Sequence, residues 1–369
     1  MEKFRFWVRY GAGSNFLHSP RIEVTNKTFF LWEPSSRHHA EVLPGYAKYL
    51  LDLGYEVSVL INSHPLNRTL FEKFTHPHLK VIFMTQRQIV RFFIKNGLGK
   101  AQGILITTAR KIGDQNSYAR EYKLFSNRSD DQKLLLVEHD VKIPIDKKFI
   151  DSNVITINKI NYQNTNTLVV NPHYFGEFSS SSCTSNLVQF VAVGLLKSGR
   201  YSMDNLIEAV KKIHQEGIYN FQIRIIGKRA SIERLPKHIQ KYFIFQGQIS
   251  YSELYSCMEK ADYLISLLDD SNQDHQRYLT TASSGSIQLS YGFIKPLIIG
   301  EKFASHYGFD RFNSIIYDKK NDLPLAIKRA IQLDKESYGL MKSKLAISSD
   351  KVYKKSLENL RCAIGDCPS

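Results

Sequence analysis

The feature that most limits the fold of this chain is an alternation of short apolar runs with amphipathic segments. The apolar run 27–34 is followed by a polar loop, and apolar residues then recur at helical spacing over 43–51. Gly54 stands where such a helix would end, and a second apolar run, 56–62, comes directly after it. This order predicts a strand, a helix and a second strand parallel to the first.

The same order continues through the first half of the chain and begins again in the second half. Further apolar runs in the first half lie at 79–84, 103–108, 133–139 and 154–158. In the second half the predicted strands are 187–194, 221–227, 242–250, 262–268 and 295–300. Runs that are apolar on both faces are typical of parallel strands covered by helices on both sides. The sequence therefore predicts an α/β fold with two successive doubly wound, Rossmann-like domains.

The stretch between the two halves, 167–186, loses this periodicity and is rich in serine. It also contains Pro172 and Gly176, which interrupt regular structure, so a linker is predicted here. The predicted parts are an N-terminal domain, a linker, a C-terminal domain and a final helix packing back toward the N-terminal domain, at 1–172, 173–186, 187–345 and 346–369.

The charge of the 369-residue chain points to an anionic partner. Its 50 Lys and Arg exceed its 35 Asp and Glu, which gives a formal net charge of +15. Nucleic acid, the phosphates of a nucleotide and an anionic membrane surface are all partners for such a chain. The alternative is a lysine-rich composition that serves no partner.

The location and redox state follow from features that the sequence lacks. No apolar run reaches the roughly 20 residues of a membrane-spanning helix, and the N-terminus shows no signal-peptide pattern. We therefore expect a cytoplasmic protein, with peripheral attachment at the inner face of the membrane as a further possibility. The four cysteines show no C-x-x-C spacing and are predicted to be reduced thiols.

The stretch FIFQGQISYSELYSCMEKADYLISLL at 243–268 combines a strand, a glycine, a helix, an Ala-Asp pair and an apolar strand. It is the part of the chain that best resembles the GT-B glycosyltransferases of the large family 4, also called group 1. FVAVGLLKSGRYSMDNLIEAVKKI at 190–213 and YGFIKPLIIG at 291–300 are similar to the family's first and last strands of that domain. The first half resembles the family in outline only.

Two departures imply a divergent member of this family. The family carries two glutamates eight positions apart before its final Gly-x-Pro, but the corresponding stretch 280–289 contains no acid. Leu195 stands where the family has an arginine after the strand-end glycine. The retaining mechanism that is usual in the family is therefore not carried over to this chain.

The resemblance implies a GT-B fold, in which two Rossmann-like domains face a cleft. It implies a transferase that moves a sugar from a nucleotide-diphosphate sugar, UDP- or GDP-linked, to a hydroxyl group of a glycan or lipid-linked saccharide. Bacterial surface polysaccharide synthesis is the expected setting, and neither a metal nor another cofactor is expected. The alternatives are a basic protein that binds or modifies nucleic acid, which lacks a known binding motif here, and a catalytically inactive GT-B scaffold.

A run of small residues before an apolar helix is the predicted binding site for the donor diphosphate. A helix N-terminus offers free N–H groups and a partial positive charge to an anion, and small residues let the anion approach the backbone. A flexible serine-rich loop is the alternative. The predicted diphosphate ligands in this run are Thr281, Ser283, Ser284, Gly285 and Ser286.

Basic residues after strand-end glycines are the second part of the predicted donor site. Lys197 and Arg200 follow Gly194, and Lys228 follows Gly227. Cations beyond the carboxyl ends of the strands would neutralise the leaving diphosphate. Solvated basic loops are the alternative.

The remaining candidates are acidic and histidine residues at strand ends. Asp269 and Asp270 are expected to contact donor hydroxyls or to cap a turn, and Arg37 and His38 lie in the first loop after a strand, where the family approaches the donor.

The catalytic candidates follow a strand of the first domain. Glu138, His139 and Asp140 are predicted to deprotonate the acceptor hydroxyl or to bind the transferred sugar. A structural histidine at a strand end is the alternative interpretation of His139.

Overall fold

The computed structural model describes residues 22–34, 39–108, 124–125, 127–146, 154–178, 187–194, 203–227 and 235–365. The strands are β1 Thr28–Trp32, β2 Glu56–Asn62, β3 Leu79–Met84, β4 Gly103–Ile106, β5 Lys133–Glu138, β6 Val154–Thr156, β7 Leu168–Val169, β8 Val188–Val193, β9 Phe221–Ile226, β10 Phe243–Gly247, β11 Tyr263–Ile265, β12 Leu297–Gly300 and β13 Ile315–Tyr317. The α-helices are α1 Leu43–Asp52, α2 Gln86–Asn96, α3 Lys142–Asp146, α4 Asp204–Gln215, α5 Tyr251–Lys260, α6 Gly285–Phe293, α7 Glu301–Tyr307, α8 Leu323–Gln332 and α9 Lys335–Ile364. Short 3₁₀ segments lie at Ala40–Val42, Pro65–Asn67, Lys237–Tyr242, Gln273–Leu279 and Lys320–Asp322.

The first sheet contains strands β1 to β7, all parallel, in the order β3-β2-β1-β4-β5-β6-β7. Every residue of β1 is buried, as expected for a central strand covered on both faces. The chain adds β2 and β3 on one side of β1 and then returns to add β4 on the other side. The strand order therefore reverses between β1 and β4.

The second sheet contains strands β8 to β13, also all parallel, in the order β10-β9-β8-β11-β12-β13. Here β9 and β10 are added on one side of β8, and β11 to β13 on the other. The strand order reverses between β8 and β11. The predicted α/β fold with two doubly wound, Rossmann-like sheets is confirmed.

Aromatic packing dominates the core of the first sheet. The ring of Phe93, from α2, lies 5.4 Å from the ring of Phe30 and 5.0 Å from that of Phe125, edge-on in both cases. Edge-to-face contacts of this kind are favoured by the ring quadrupoles. Each such fully buried ring contributes about 1.5–3 kcal/mol through the area it removes from water.

The second sheet has a more aliphatic core with stacked rings at its centre. Phe190 of β8 stacks on Tyr263 of β11, with ring centroids 5.6 Å apart. Helix α4 buries Leu206, Val210 and Ile213 against this sheet. These three residues lie on one helical face, as their spacing predicts.

The chain divides into two compact units. Unit 1 comprises 1–157, 167–176 and 357–369, and unit 2 comprises 158–166 and 177–356. The predicted final helix is the last part of α9, which begins at Lys335 and is continuous to Ile364. Within unit 1 the end of α9 is held to β7, because Asn359 Nδ2 donates to the carbonyl oxygen of Val169 at 2.8 Å.

The structure corrects the prediction that all cysteines are reduced. Cys362 is disulfide-bonded, a pairing that the absence of C-x-x-C spacing does not exclude. Cys257 is a buried free thiol whose Sγ donates to Gln246 Oε1 at 3.1 Å. Burial raises the pKa of the Cys257 thiol, so it stays protonated.

In the part of the chain that the structure describes, no helix combines the length and apolar character needed to cross a membrane.

Candidate functional site

Open parallel sheets bind ligands beyond the carboxyl ends of their strands, where the strand order reverses. In unit 2 this position lies at the ends of β8 and β11. Helix α6 packs against β8 and runs from this edge back toward the start of β12, so its first turn lies at the same edge. We call this region of unit 2, defined by Gly194, Gly227, Gly247 and the first turn of α6, the glycine edge.

The strand-end glycines of unit 2 are in direct contact. Gly227 has φ +148°, and a Cβ on this residue would overlap the carbonyl oxygen of Gly194. The Gly194 N–H donates to Ile226 at 3.0 Å, and the Gly227 N–H donates to Gly247 at 2.8 Å. The ends of β8, β9 and β10 are thus joined by backbone alone, which leaves a surface without side chains at these positions.

The first turn of α6 is open, as the predicted diphosphate site requires. Gly285 begins the helix and is exposed, and no described atom lies within 4 Å of the position that its Cβ would take. Among the described residues, no side chain caps the N–H groups of this turn. The hydroxyls of Ser284 and Ser286 lie 3.0 Å apart beside it. Exposed N–H groups at a helix start form an anion-binding arrangement.

A buried amide lies on the second turn of the same helix. Gln288 is only 5% exposed, and its Nε2 has no hydrogen-bond partner within the described part of the chain. Side chains on a helix lean back over the preceding turn, which here is the open turn at Gly285. A buried N–H group without an acceptor lowers stability by about 1–3 kcal/mol, so a ligand oxygen that accepts from Gln288 Nε2 gains binding free energy of about that size.

Tyr307, the last residue of α7, supports the entry to α6. Its hydroxyl donates to the Tyr278 carbonyl oxygen at 2.7 Å. Burial raises the pKa of Tyr307, followed by the influence of Tyr278, so the hydroxyl keeps its proton. The Tyr307 side chain therefore holds the backbone at Tyr278, shortly before the 280–283 segment.

The predicted diphosphate ligands that precede Gly285 are less accessible than it is, and Ser284 is only 5% exposed. Thr281 is buried at 3% exposure, and its N–H donates to the Arg277 carbonyl oxygen at 2.8 Å. Ser283 is half-buried. Both residues lie in the segment before α6, and Thr281 is the more buried of the two.

Asp269 and Asp270 follow β11 and interact with neighbouring residues of unit 2. Asp269 Oδ1 accepts from the Ser271 N–H at 2.9 Å and its Oδ2 accepts from Asn205 Nδ2 at 2.8 Å. Asp270 pairs with Lys302 at 2.9 Å. Asp269 therefore caps a turn, which is the second of the two roles that its position left open.

These two carboxylates also border a small cavity at the ends of β11 to β13. Burial, together with Asp269 and Asp270, raises the pKa of Tyr317 in its wall. Among the described residues, no three His, Cys, Asp or Glu side chains come together as a metal site requires.

Several predicted site residues lie outside the described residues. They are Arg37, His38, Lys197, Arg200 and Lys228.

The corresponding edge of unit 1 carries interacting side chains. Glu33 follows β1 and is 1% exposed, and its Oε2 accepts from the hydroxyls of Thr107 and Thr108, each at 2.6 Å. The two threonines follow β4, so this carboxylate joins the two strands between which the order reverses. Charge-assisted bonds of this length are strong, and burial makes them difficult to break.

His139 extends this network from the end of β5. Its Nε2 lies 2.8 Å from the Thr107 carbonyl oxygen, which can only accept, so Nε2 carries the proton. In the neutral ring Nδ1 is then the basic nitrogen. The His39 ring lies 4.5 Å from the His139 ring, and His39 adopts a left-handed backbone conformation with φ 73°. We call the set Glu33, Thr107, Thr108, His39 and His139 the histidine edge.

The two neighbours of His139 differ in accessibility. Glu138 ends β5 and is 4% exposed, whereas Asp140 is half-buried and its Oδ1 accepts from the Lys142 N–H at 3.3 Å. Of the three catalytic candidates, His139 and Asp140 are thus open to a ligand.

The residue predictions missed Glu33, Thr107 and Thr108 of the histidine edge, and Gln288 on the second turn of α6. A signal existed for the first two, because each is a polar residue directly after an apolar strand, as Glu138 and His139 are. Gln288 is a polar residue inside the otherwise apolar helix α6. The closeness of His39 to His139 has no signal in the sequence, since it depends on the fold.

No family model matches the chain, and no curated protein sequence matches it either. Solved structures do match it. AviGT4, a glycosyltransferase involved in avilamycin A biosynthesis, has a TM-score of 0.57 at 10% identity, over 92% of this chain and 98% of that one. An alpha-glucosyltransferase solved with UDP and a 13-mer DNA has a TM-score of 0.53 at 13% identity, over 90% and 95% of the two chains. WaaG, a glycosyltransferase involved in lipopolysaccharide biosynthesis, has a TM-score of 0.50 at 11% identity, over 91% and 98%.

These similarities extend over nearly the whole of each chain and define the fold class. The protein has the GT-B fold, as the sequence resemblance implied. At 10–13% sequence identity, structural similarity shows the fold alone. The reaction is therefore inferred from the chemistry of the site.

Proposed function

We propose that the protein is a glycosyltransferase that transfers a sugar from a nucleotide-diphosphate sugar to an acceptor hydroxyl. The observation that carries the proposal is the open, uncapped first turn of α6 at the glycine edge. The GT-B fold supports the reaction class, because the solved structures that share it include glycosyltransferases. The donor is a UDP- or GDP-linked sugar.

The donor diphosphate binds at the glycine edge. The N–H groups of Gly285 and Ser286 donate to phosphate oxygens, and the partial positive charge of the helix start adds to the attraction. The hydroxyls of Ser283 and Ser284 and the Gln288 amide supply further donors. Gly285 allows this approach because it has no Cβ in the way.

Cations complete the stabilisation of the leaving group. Lys197 and Arg200 follow Gly194, and Lys228 follows Gly227, so all three come after strands that end at the glycine edge. They stabilise the charge that develops as the bond between the anomeric carbon and the diphosphate oxygen breaks. These cations take the place of a metal ion, and the reaction is metal-independent.

Activation of the acceptor is assigned to the histidine edge. His139 Nδ1 takes the proton of the acceptor hydroxyl as its oxygen bonds to the anomeric carbon, and the nucleoside diphosphate leaves with the bonding electrons. The Thr107 carbonyl oxygen fixes the tautomer this step requires. Asp140, the second accessible candidate, contacts the transferred sugar, and Glu138 supports the strand end from inside.

The acceptor is a glycan or a lipid-linked saccharide of a bacterial surface polysaccharide. The enzyme acts in the cytoplasm, attached peripherally to an anionic membrane surface. The net charge of +15 supports this attachment.

Calorimetry with UDP, GDP, ADP and CMP tests the donor site. We expect one nucleoside diphosphate to bind selectively, with Lys197→Ala and Arg200→Ala each lowering its affinity about ten-fold. His139→Asn should leave nucleotide affinity unchanged and lower kcat about 10²–10⁴-fold. Transfer measured with EDTA present should equal transfer without it.

Two outcomes would replace the proposal. Absence of any nucleotide binding, with a folded chain, identifies an inactive GT-B scaffold. Binding to duplex DNA that falls steeply with salt, without nucleotide selectivity, identifies a nucleic-acid-binding protein.

A further inference from the structure

Helix α9 carries an unusual outward stripe within unit 2. Leu340 and Ile347 are two turns apart on it and are 59% and 51% exposed. Lys344 and Lys351 lie between and beyond them at the spacing of the same helical face, and both are exposed. The opposite face of the helix is buried through Met341 and other apolar residues.

A turn beside this stripe exposes a large aromatic ring. Phe312 is 71% exposed, and Arg311 next to it has a side chain that is 67% exposed. Asn313 Nδ2 donates to Ser348 Oγ at 3.2 Å, which attaches the turn to α9 at the residue after Ile347.

The exposure of Phe312 is enforced by a hydrogen-bonded turn. Asp310 Oδ1 accepts from the N–H groups of Phe312 and Asn313 at 2.8 and 3.1 Å, and Ser314 Oγ donates to the Asp310 carbonyl oxygen at 2.7 Å. Asn313 and Ser314 are each 1% exposed and anchor the turn. The chain therefore holds the ring in water, where it loses the free energy that burial would provide.

The charge around these apolar residues is predominantly positive. Within the described residues, Lys344 and Lys351 have no ion-pair partner. The nearby acids are already engaged: Asp350 pairs with Lys354 at 2.7 Å, and Asp318 lies 3.9 Å from Arg311. We call the set Leu340, Ile347, Phe312, Lys344 and Lys351 the basic apolar face.

We propose that the basic apolar face binds the surface of an anionic lipid membrane. Phe312, Leu340 and Ile347 enter the boundary between headgroups and acyl chains, and the two lysines with Arg311 contact anionic headgroups. This inference rests on the proposed peripheral attachment and not on the proposed transfer reaction.

The combination of residues selects a membrane over other anionic partners. Nucleic acid would explain the lysines but gives no partner for three exposed apolar side chains on one surface. A protein partner or a second copy would bury the apolar residues but would not need the unpaired lysines. A bilayer interface offers an apolar layer beneath an anionic one, which matches both.

Vesicle co-sedimentation of the full chain tests the proposal. Vesicles of phosphatidylcholine alone are compared with vesicles that contain about a third phosphatidylglycerol. We expect binding only to the anionic vesicles, reduced roughly ten-fold by Phe312→Ser or Ile347→Ser, and reduced about five-fold by Lys351→Glu. Nucleotide binding by these variants, measured in parallel, should be unchanged, which separates this surface from the donor site.

Two matched variants serve as controls. Leu325→Ser changes an aliphatic residue with 61% exposure on α8, and Lys100→Glu makes the same charge change on unit 1. Both should bind anionic vesicles as the unchanged protein does. The proposal is overturned if the chain does not bind anionic vesicles, or if the controls weaken binding as much as the face variants do. A change in oligomeric state in Phe312→Ser, with vesicle binding intact, would overturn it in favour of self-association.

Discussion

The glycine edge of unit 2 and the histidine edge of unit 1 occupy equivalent places in two similar sheets, but they are built differently. At the glycine edge, strands end in glycines that contact one another, and the next helix begins with its N–H groups exposed. At the histidine edge, strands end in Glu33, Thr107 and His139, whose polar groups bind one another.

This difference indicates that the two edges are suited to different chemical roles. Backbone N–H groups and a helix start suit an anion whose position is fixed by charge. The buried Glu33 carboxylate accepts from the Thr107 hydroxyl, and the Thr107 carbonyl oxygen accepts from His139 Nε2. This arrangement suits proton transfer, because the tautomer of the histidine is fixed before a ligand arrives. The predictions that follow test whether each edge depends on the feature that distinguishes it.

The largest effect is expected at the contact between strand-end glycines. Gly227→Ala places a Cβ on the Gly194 carbonyl oxygen at a backbone angle, φ +148°, that side chains rarely adopt. The backbone of β8 and β9 must then separate, and we expect a loss of about 3 kcal/mol or more in the free energy of unfolding. Urea denaturation measures this loss.

Gly285→Ala is the matched control for that substitution. The space beyond Gly285 is open, so stability should change by less than about 0.5 kcal/mol. Nucleotide affinity should fall instead, because the added methyl group obstructs the anion. If both variants lose stability equally, the glycine edge is a packing feature and not an anion site.

The fold was largely predictable from sequence. The period of apolar residues over 43–51 and the glycine at Gly54 are local signals, and α1 and β2 form there as expected. Parallel strands buried on both faces leave continuous apolar runs, so 187–194 and 221–227 also identified β8 and β9.

The histidine edge should show the second largest effect, through Glu33. Glu33→Ala leaves the buried Thr107 hydroxyl and the half-buried Thr108 hydroxyl without their shared acceptor, and we expect a loss of about 2–3 kcal/mol in unfolding free energy. Glu33→Gln keeps an acceptor oxygen and should lose about half as much. Equal losses in the two variants would show that the negative charge, and not the hydrogen bonds, stabilises the edge.

The site was less predictable than the fold, for a physical reason. Gly285 and His139 could be chosen as candidates because a helix start and a strand end can be recognised locally. The contact of Gly227 with Gly194, and of His39 with His139, joins residues far apart in the sequence. Such contacts depend on the register between strands, which one sequence does not reveal.

A third, smaller effect is expected from the side chain that supports α6. Tyr307→Phe removes the hydroxyl that donates to the Tyr278 carbonyl oxygen before α6, and we expect about 1–2 kcal/mol less stability together with weaker nucleotide binding. Tyr338→Phe is the control, because it removes a hydroxyl that donates to the Asp262 carbonyl oxygen at 2.8 Å. It should lose similar stability with nucleotide affinity unchanged, as measured by denaturation and calorimetry.

The smallest effect concerns pH. Burial, followed by the charge of Lys159, lowers the pKa of His306 below its ordinary value of 6.5. At pH values between the lowered pKa of the folded chain and 6.5, His306 therefore binds a proton more readily in the unfolded chain than in the folded one. The contribution of neutral His306 to stability is fully present above pH 6.5 and is lost as pH falls through that window.

His306→Gln should remove this sensitivity while other acid-dependent groups continue to act. We expect the difference in Tm between the variant and the unchanged protein to shift by about 2 °C or less between neutral and mildly acidic pH. Because His306 packs on Tyr307, 4.8 Å between ring centroids, nucleotide affinity should show the same pH dependence. A parallel pH response in both proteins would show that His306 titrates normally, and that the glycine edge is not coupled to a proton in this way.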